Sequence, residues 1–217
     1  MNTLIVSGGE INLDFLNKYY NTNKNSTIIA VDKGLNALHE LNIIPHHIVG
    51  DFDSINKDIL SLYSNNTNIT IHKYNPEKDY TDSDIAIKLA IDLNSSCINI
   101  IGGFGNRIDH LLANIHILMH GLNANIPCYL LDKTNKVYLV NNTTTICKDT
   151  AYGKYISLIP LTSSVNGLNL DGFKYPLKNY TLPVGISLGI SNEIVDDIAI
   201  ISLLDGILIV VESCDFA

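Results

Sequence analysis

Up to about residue 122 the chain alternates short apolar runs with segments of helix length, and beyond that point the alternation stops. Few patterns restrict a fold as strongly, because strands that alternate with helices must be joined by crossovers and so lie parallel. Residues 3–6, 27–31, 47–49, 69–72 and 98–101 read as strands. Between and after them, residues 13–20, 34–41, 57–63, 82–93 and 109–121 read as helices. In the fourth, Ile85, Leu89 and Leu93 share one face with Ala86 and Ala90 beside them, and Gly121 reads as the stop signal of the fifth. After residue 123 only strand patterns remain, at 128–131, 136–140, 143–147, 155–160, 165–170, 186–190, 194–203 and 206–212. Asn141-Asn142, Asp171-Gly172, Ser191-Asn192 and Asp205-Gly206 punctuate them as turns, and Leu204-Asp205-Gly206-Ile207 reads as a hairpin. The expected architecture is α/β, a doubly wound, mainly parallel sheet over residues 1–122, followed by an all-β domain over 123–217.

Composition narrows the function. With 46% hydrophobic residues in 217, a packed core is available, and a formal net charge of −8 provides no basic field for nucleic acid or anionic lipid. The four cysteines show neither CxxC spacing nor scaffold density, which predicts reduced thiols. Cys97 and Cys128 sit in or beside apolar runs as small hydrophobes. The N-terminal residues lack the basic and apolar regions of an export signal, and no apolar stretch is long enough to span a bilayer. A cytoplasmic location without membrane or nucleic-acid partners is the expectation.

Acidic and glycine-rich segments follow the predicted strands. Gly50-Asp51-Phe52-Asp53-Ser54 comes directly after 47–49. If the backbone stays extended, Asp51 and Asp53 point to one face and can reach one hard cation, with Phe52 turned toward the core. Asp79-Tyr80-Thr81-Asp82-Ser83-Asp84 opens the fourth helix. Thr81 with Asp84 resembles a capping box, which leaves Asp84 structural and Asp79 and Asp82 for metal or substrate. Gly102-Gly103-Phe104-Gly105 and Arg107-Ile108-Asp109-His110 join the last parallel strand to its helix, where backbone N–H groups face an anion. Arg107 suits phosphate, and Asp109 suits metal, a substrate proton or the helix N-cap. Ile108 stands where a dinucleotide fingerprint needs its third glycine, and no P-loop lysine motif occurs. Ser7-Gly8-Gly9 and Asp32-Lys33-Gly34 repeat the theme after the first two strands, and parallel strands bring all these loops to one edge. The seven histidines lack ligand spacing.

Taken in order, Val31-Asp32-Lys33-Gly34, Gly50-Asp51-Phe52-Asp53-Ser54, Asp79-Tyr80-Thr81-Asp82, and Gly102-Gly103 through Arg107-Ile108-Asp109-His110 to Asn114 resemble the motifs of the thiamine pyrophosphokinase family. Gly172-Phe173-Lys174-Tyr175-Pro176-Leu177 and Gly189-Ile190-Ser191-Asn192-Glu193 continue the resemblance. It implies a Rossmann-like α/β catalytic domain at 1–122 and an all-β sandwich at 123–217 for thiamine binding and dimerisation. It also implies a homodimer with shared active sites. The implied reaction is thiamine plus ATP to thiamine diphosphate plus AMP, with Mg²⁺. Asp51, Asp53, Asp79 and Asp82 would hold Mg²⁺ and the triphosphate, with Asp32 nearby. Arg107 would contact phosphate, and Asp109 would bind substrate or help activate the thiamine hydroxyl. Gly8, Gly9, Lys33, Thr81, His110 and Asn114 complete the substrate-binding set on this side, and Ser191 and Asn192 would come from the partner subunit. The chain has no tryptophan, and Tyr175 offers an aromatic face in the motif where some members stack an indole. A related pterin or cofactor pyrophosphokinase, a non-catalytic nucleotide sensor and a nicotinamide oxidoreductase are the competing expectations.

Overall fold

Leu4, Ile5, Val6, Ile28, Ile29, Ala30 and Val31 are all but sealed from solvent. Strands so continuously buried need cover on both faces, as in a parallel sheet flanked by helices. The structure, a computed structural model, describes residues 1–52, 57–64, 66–74 and 79–215, with Lys57 and Ser64 described by their backbone alone. It comprises two units, Met1–Lys133 and Thr134–Ala217.

Unit 1 runs β1 (Asn2–Val6), α1 (Leu13–Thr22), β2 (Thr27–Val31), α2 (Gly34–Glu40), β3 (His47–Gly50), α3 (Lys57–Ser64), β4 (Thr70–Lys73), α4 (Asp82–Asp92), β5 (Cys97–Ile101), α5 (Ile108–His116), α6 (Met119–Asn123) and β6 (Cys128–Leu131). The strand order is β6-β5-β1-β2-β3-β4, with every pairing parallel. The chain moves outward from β1 to β4, then crosses back to lay β5 on the other side of β1. The loops leaving β1 and β5 therefore flank the point where the winding reverses, where open parallel sheets bind their ligands.

Several expectations change. Residues 128–131, grouped by pattern with the later strands, pair in parallel with β5 as β6. The helix expected over 109–121 is two, α5 and α6, and Gly121 lies buried inside α6. A Cβ there would come 2.9 Å from the Ile126 carbonyl oxygen, so the glycine serves close approach rather than termination. On α4 the buried side is Ser83, Asp84, Ala86, Ile87 and Ala90, while Ile85, Leu89 and Leu93 are half-buried. The small alanines let the helix backbone approach the sheet, which rotates the larger residues to the flanks.

Unit 2 contains β7 (Asn135–Val140), β8 (Thr144–Cys147), β9 (Tyr155–Pro160), β10 (Ser164–Asp171), β11 (Leu177–Pro183), β12 (Asn192–Glu193), β13 (Ile198–Ser202) and β14 (Leu208–Ser213). Antiparallel pairing orders them as β12-β9-β14-β7 and as β11-β10-β13-β8. Leu204-Asp205-Gly206-Ile207 is not a hairpin, because β13 and β14 belong to different sheets. Ile207 N–H bonds Thr162 Oγ1 at 3.1 Å, and its carbonyl accepts from Leu161 N–H, so the chain is captured by another loop as it changes sheet. Residues 186–190 form no strand; the Gly189 carbonyl accepts from Leu158 N–H, while Ile186, Leu188 and Ile190 stay substantially exposed. The strand in that region is β11, whose irregular register against β10 and left-handed Asn179 (φ 46°) break the alternation that sequence reading relies on. Buried Glu212 joins β14 to β7: half-buried Lys136 Nζ lies 2.9 Å from its Oε1, and Tyr152 N–H donates to its Oε2 at 2.7 Å.

Two predictions come from unit 1. A Cβ on Gly34 would overlap the Val6 carbonyl oxygen, a backbone atom that cannot turn aside. Gly34→Ala should therefore cost about 1–3 kcal/mol in chemical denaturation. His47 Nδ1 and His72 Nε2 meet at 3.2 Å across β3 and β4. Burial, then repulsion from His72, lowers the His47 pKa, and burial lowers that of His72. Both therefore bind protons less readily folded than unfolded, so this stability is complete above the ordinary imidazole value of 6.5 and is lost as pH falls below it. Denaturation midpoints measured from about pH 7 to about pH 5 should decline, and His72→Gln should flatten that decline.

Candidate active site

The loops at the carboxyl edge of unit 1 are in direct backbone contact. Gly9 N–H donates to the Gly102 carbonyl at 2.9 Å and Glu10 N–H to that of Phe104 at 3.1 Å, joining the β1 and β5 loops. A Cβ at Gly8 would lie 3.3 Å from Lys33 N, so the β1 loop also touches the β2 loop. Asp32, left-handed at φ 46°, donates its N–H to the Val49 carbonyl at 3.1 Å. Its carboxylate lies against Gly50, at the place a side chain on that glycine would need. Gly8, Gly9, Asp32, Lys33 and Asp51 thus share one continuous edge.

Asp51 is half-buried at the end of β3. The extended backbone expected there does not occur, since Phe52 is left-handed at φ 69°, and the two-residue alternation is broken at that point. Asp53 lies outside the described residues. Asp79 and Thr81 are exposed and Asp82 is half-buried at the start of α4. Thr81 Oγ1 accepts from Asp84 N–H at 3.2 Å, the first half of a capping box. Asp84 carries its carboxylate to Lys88 Nζ at 2.7 Å and His120 Nε2 at 3.3 Å. Among the described residues no group of three or more His, Cys, Asp and Glu is arranged to hold a metal.

On α5, Arg107 occupies the N-cap without a side-chain cap bond, and Asp109 falls in the first turn. The two bond each other instead: Arg107 Nη2 donates to Asp109 Oδ2 at 2.6 Å and Nε to Oδ1 at 3.2 Å. That hydrogen bond holds the Asp109 carboxyl below the usual carboxylate range and raises the Arg107 pKa. Both side chains are exposed, so a phosphate and a polar substrate group can replace each partner in water. His110 is exposed, and Asn114 Nδ2 donates to the Gly103 carbonyl at 2.8 Å, fixing the β5 loop to α5.

In unit 2, Asn192 is buried and its amide is engaged on both sides. Its Oδ1 accepts from Tyr175 N–H at 3.0 Å and from Glu193 N–H at 2.9 Å, and its Nδ2 donates to the Tyr175 carbonyl at 2.8 Å. The result holds the Tyr175 backbone with the side chain 60% exposed, an aromatic face open to a flat ligand. Ser191 is left-handed (φ 56°), its N–H bonded to Ser157 Oγ at 3.0 Å. It lines a cleft of about 580 Å³ with Asn135, Tyr155 and Asp215, in which the Tyr155 hydroxyl donates to Asp215 Oδ2 at 3.2 Å. Sequence reading missed Ser157, Tyr155 and Asp215, which lie in no motif; Tyr155 and Ser157 are placed by β9, and Asp215 follows β14.

A parallel sheet with acidic and glycine-rich loops on its carboxyl edge, followed by an all-β unit, is the arrangement that the comparisons with known proteins identify. The family model described as thiamin pyrophosphokinase, catalytic domain, matches residues 19–130, and that of its vitamin B1 binding domain matches residues 143–208. Thiamine pyrophosphokinase of Bacillus subtilis (strain 168) is 37% identical over 212 residues, 97% of this chain and 98% of that protein. A crystal structure of the Bacillus subtilis enzyme has a TM-score of 0.88 at 34% identity, covering 99% of this chain and 100% of that one. That of thiamin pyrophosphokinase from Geobacillus thermodenitrificans has a TM-score of 0.86 at 32% identity, covering 100% and 99%. This chain belongs to the thiamine pyrophosphokinase family.

Replacing Asn192 by Ala leaves the Tyr175 N–H and carbonyl without their partner, and should cost about 1–3 kcal/mol in chemical denaturation.

Proposed function

We infer that this protein transfers the pyrophosphoryl group of ATP to the hydroxyl of thiamine, giving thiamine diphosphate and AMP. The observation that carries this reading is the match of both parts of the chain, in order, to the two parts of one enzyme family. The carboxyl-edge loops of unit 1 support it, since they combine backbone N–H groups for phosphate with carboxylates for a counter-cation. Unit 1 is read as a Rossmann-like, doubly wound domain that binds nucleotide, and unit 2 as a sandwich that binds thiamine.

Mg²⁺ is the expected metal. The donor set fits a hard cation, being carboxylate oxygen throughout, and Mg²⁺ needs only one or two protein carboxylates when substrate phosphates supply further ligands. Asp51, Asp79 and Asp82, with Asp53, would hold it. Bound there, Mg²⁺ neutralises phosphate charge. The protein's part is positioning. The β5 loop presents N–H groups to the triphosphate, Arg107 exchanges Asp109 for a phosphate oxygen, and the released Asp109 carboxylate accepts a hydrogen bond from the thiamine hydroxyl. With the attacking oxygen and leaving group held in line, no strong base is required. The exposed ring of Tyr175 provides a surface for the cationic thiazolium or the pyrimidine.

The protein is further proposed to act in the cytoplasm as a homodimer, with Ser191 and Asn192 coming from the partner subunit to the thiamine pocket. Among the described residues no helix is long and apolar enough to cross a membrane.

Purified protein incubated with thiamine, ATP and Mg²⁺ should form thiamine diphosphate and AMP in equal amounts, with nothing formed when metal or thiamine is omitted. Asp51→Asn should abolish turnover while leaving the circular dichroism spectrum unchanged. ADP with thiamine monophosphate would identify a different transferred group, and no product would return weight to another acceptor or a nucleotide sensor.

A further inference from the structure

The hydroxyls of Ser7 and Ser83 meet at 2.9 Å, and the two residues are only 6% and 8% exposed. Ser7 directly follows β1, and its N–H bonds the Ile101 carbonyl at the end of β5 at 2.8 Å. Ser83 is the second residue of α4, next to Asp82. Two hydrogen bonds at Ser7 therefore link three segments: the Gly8-Gly9 loop, the end of β5 and the acidic first turn of α4.

The other anchors of α4 act differently. Thr81 closes its first turn, and Asp84 reaches sideways to Lys88 and His120. Lys88 Nζ sits 3.5 Å over the Tyr80 ring, which ties the approach to the helix back onto the helix itself. Ala86, Ile87 and Ala90 press the helix against the sheet, but apolar contact is non-directional and resists axial sliding weakly. A buried hydroxyl pair is directional and fixes how far along its axis the helix sits.

We propose that the Ser7–Ser83 pair is a positioning device for pyrophosphoryl transfer, setting the separation between the Asp79–Asp82 acids and the joined β1 and β5 loops. This rests on the functional reading above. A serine-to-alanine change at either position removes the hydroxyl oxygen alone, so it deletes the bond while leaving the Cβ in place.

The test compares wild type, Ser7→Ala, Ser83→Ala and the double variant in the thiamine diphosphate assay, with Mg²⁺ titrated at saturating ATP. Each single variant should lose about tenfold to a hundredfold in kcat, since misplacement of about 1 Å has effects of that size. The thiamine KM should stay within about twofold, because the thiamine surface in unit 2 is untouched. The Mg²⁺ concentration for half-maximal rate should rise, and the double variant should be no slower than either single one, as expected when both remove the same bond. Ser7→Ala approaches that bond from the loop, so the proposal stays testable if Ser83→Ala does not fold. A lowered melting temperature with unchanged kcat, or losses that multiply in the double variant, would overturn it. Wild-type protein that makes no thiamine diphosphate would overturn the functional reading and this proposal with it.

Discussion

The carboxyl edge of the parallel sheet depends on backbones coming closer than side chains allow. The β1 loop bonds the β5 loop through Gly9 and Gly102, rests on the β2 loop through Gly8, and is overlain by α2 at Gly34. Asp32 in turn fills the space above Gly50. Any Cβ at the tightest of these contacts meets a carbonyl oxygen or a carboxylate, and the interior has no slack to absorb it. The spacing between loops is thereby set by main-chain van der Waals contact, which is stiffer than side-chain packing. A site that works by positioning charge benefits from such a floor, because misplaced ligands forfeit electrostatic stabilisation steeply.

Unit 2 achieves the same end by other means. There a single buried amide, that of Asn192, satisfies the backbone of Tyr175 on both its N–H and its carbonyl, and leaves the ring outside. Two loops distant in sequence behave as one rigid corner. Glu193 extends the corner outward by accepting from Lys174 at 2.8 Å and facing Lys154 at 3.5 Å. The hydrogen bond from Lys174 holds the Glu193 carboxyl below its usual range.

Much of unit 1 was legible because parallel strands declare themselves by continuous burial and by regular alternation with helices. Its errors came from close packing: Gly121 looked like a terminator but admits the neighbouring strand, and Ala86 with Ala90 placed the core face of α4 where larger residues had been expected. The acidic turn was found, yet its expected alternation failed at left-handed Phe52, a conformation that no residue type announced. Unit 2 was less legible. Antiparallel partners are chosen by long-range register, so an Asp-Gly turn looks the same whether it closes a hairpin or, as at Asp205-Gly206, passes the chain between sheets. The bulged β10–β11 pair hid a strand, and the apolar residues at 186–190 mimicked one. Side-chain pairs such as Arg107 with Asp109 were visible as residues but not as partners.

The central position of β1 also orders events during synthesis. It finds β2 on one side within the first thirty-one residues, but its other edge belongs to β5, which begins at Cys97. β1 is therefore enclosed on that side only once β5 has been made, and until then it offers unpaired N–H and carbonyl groups of the kind that invite association. Closure comes with the whole α4–β5 segment at once: Ser95 reaches Thr3 at 2.6 Å, Ser96 takes the amino terminus at 3.1 Å, and β5 completes the ladder. Pairing of β5 with β1 is thus the step that first brings the Gly9 and Gly102 loops together at the carboxyl edge.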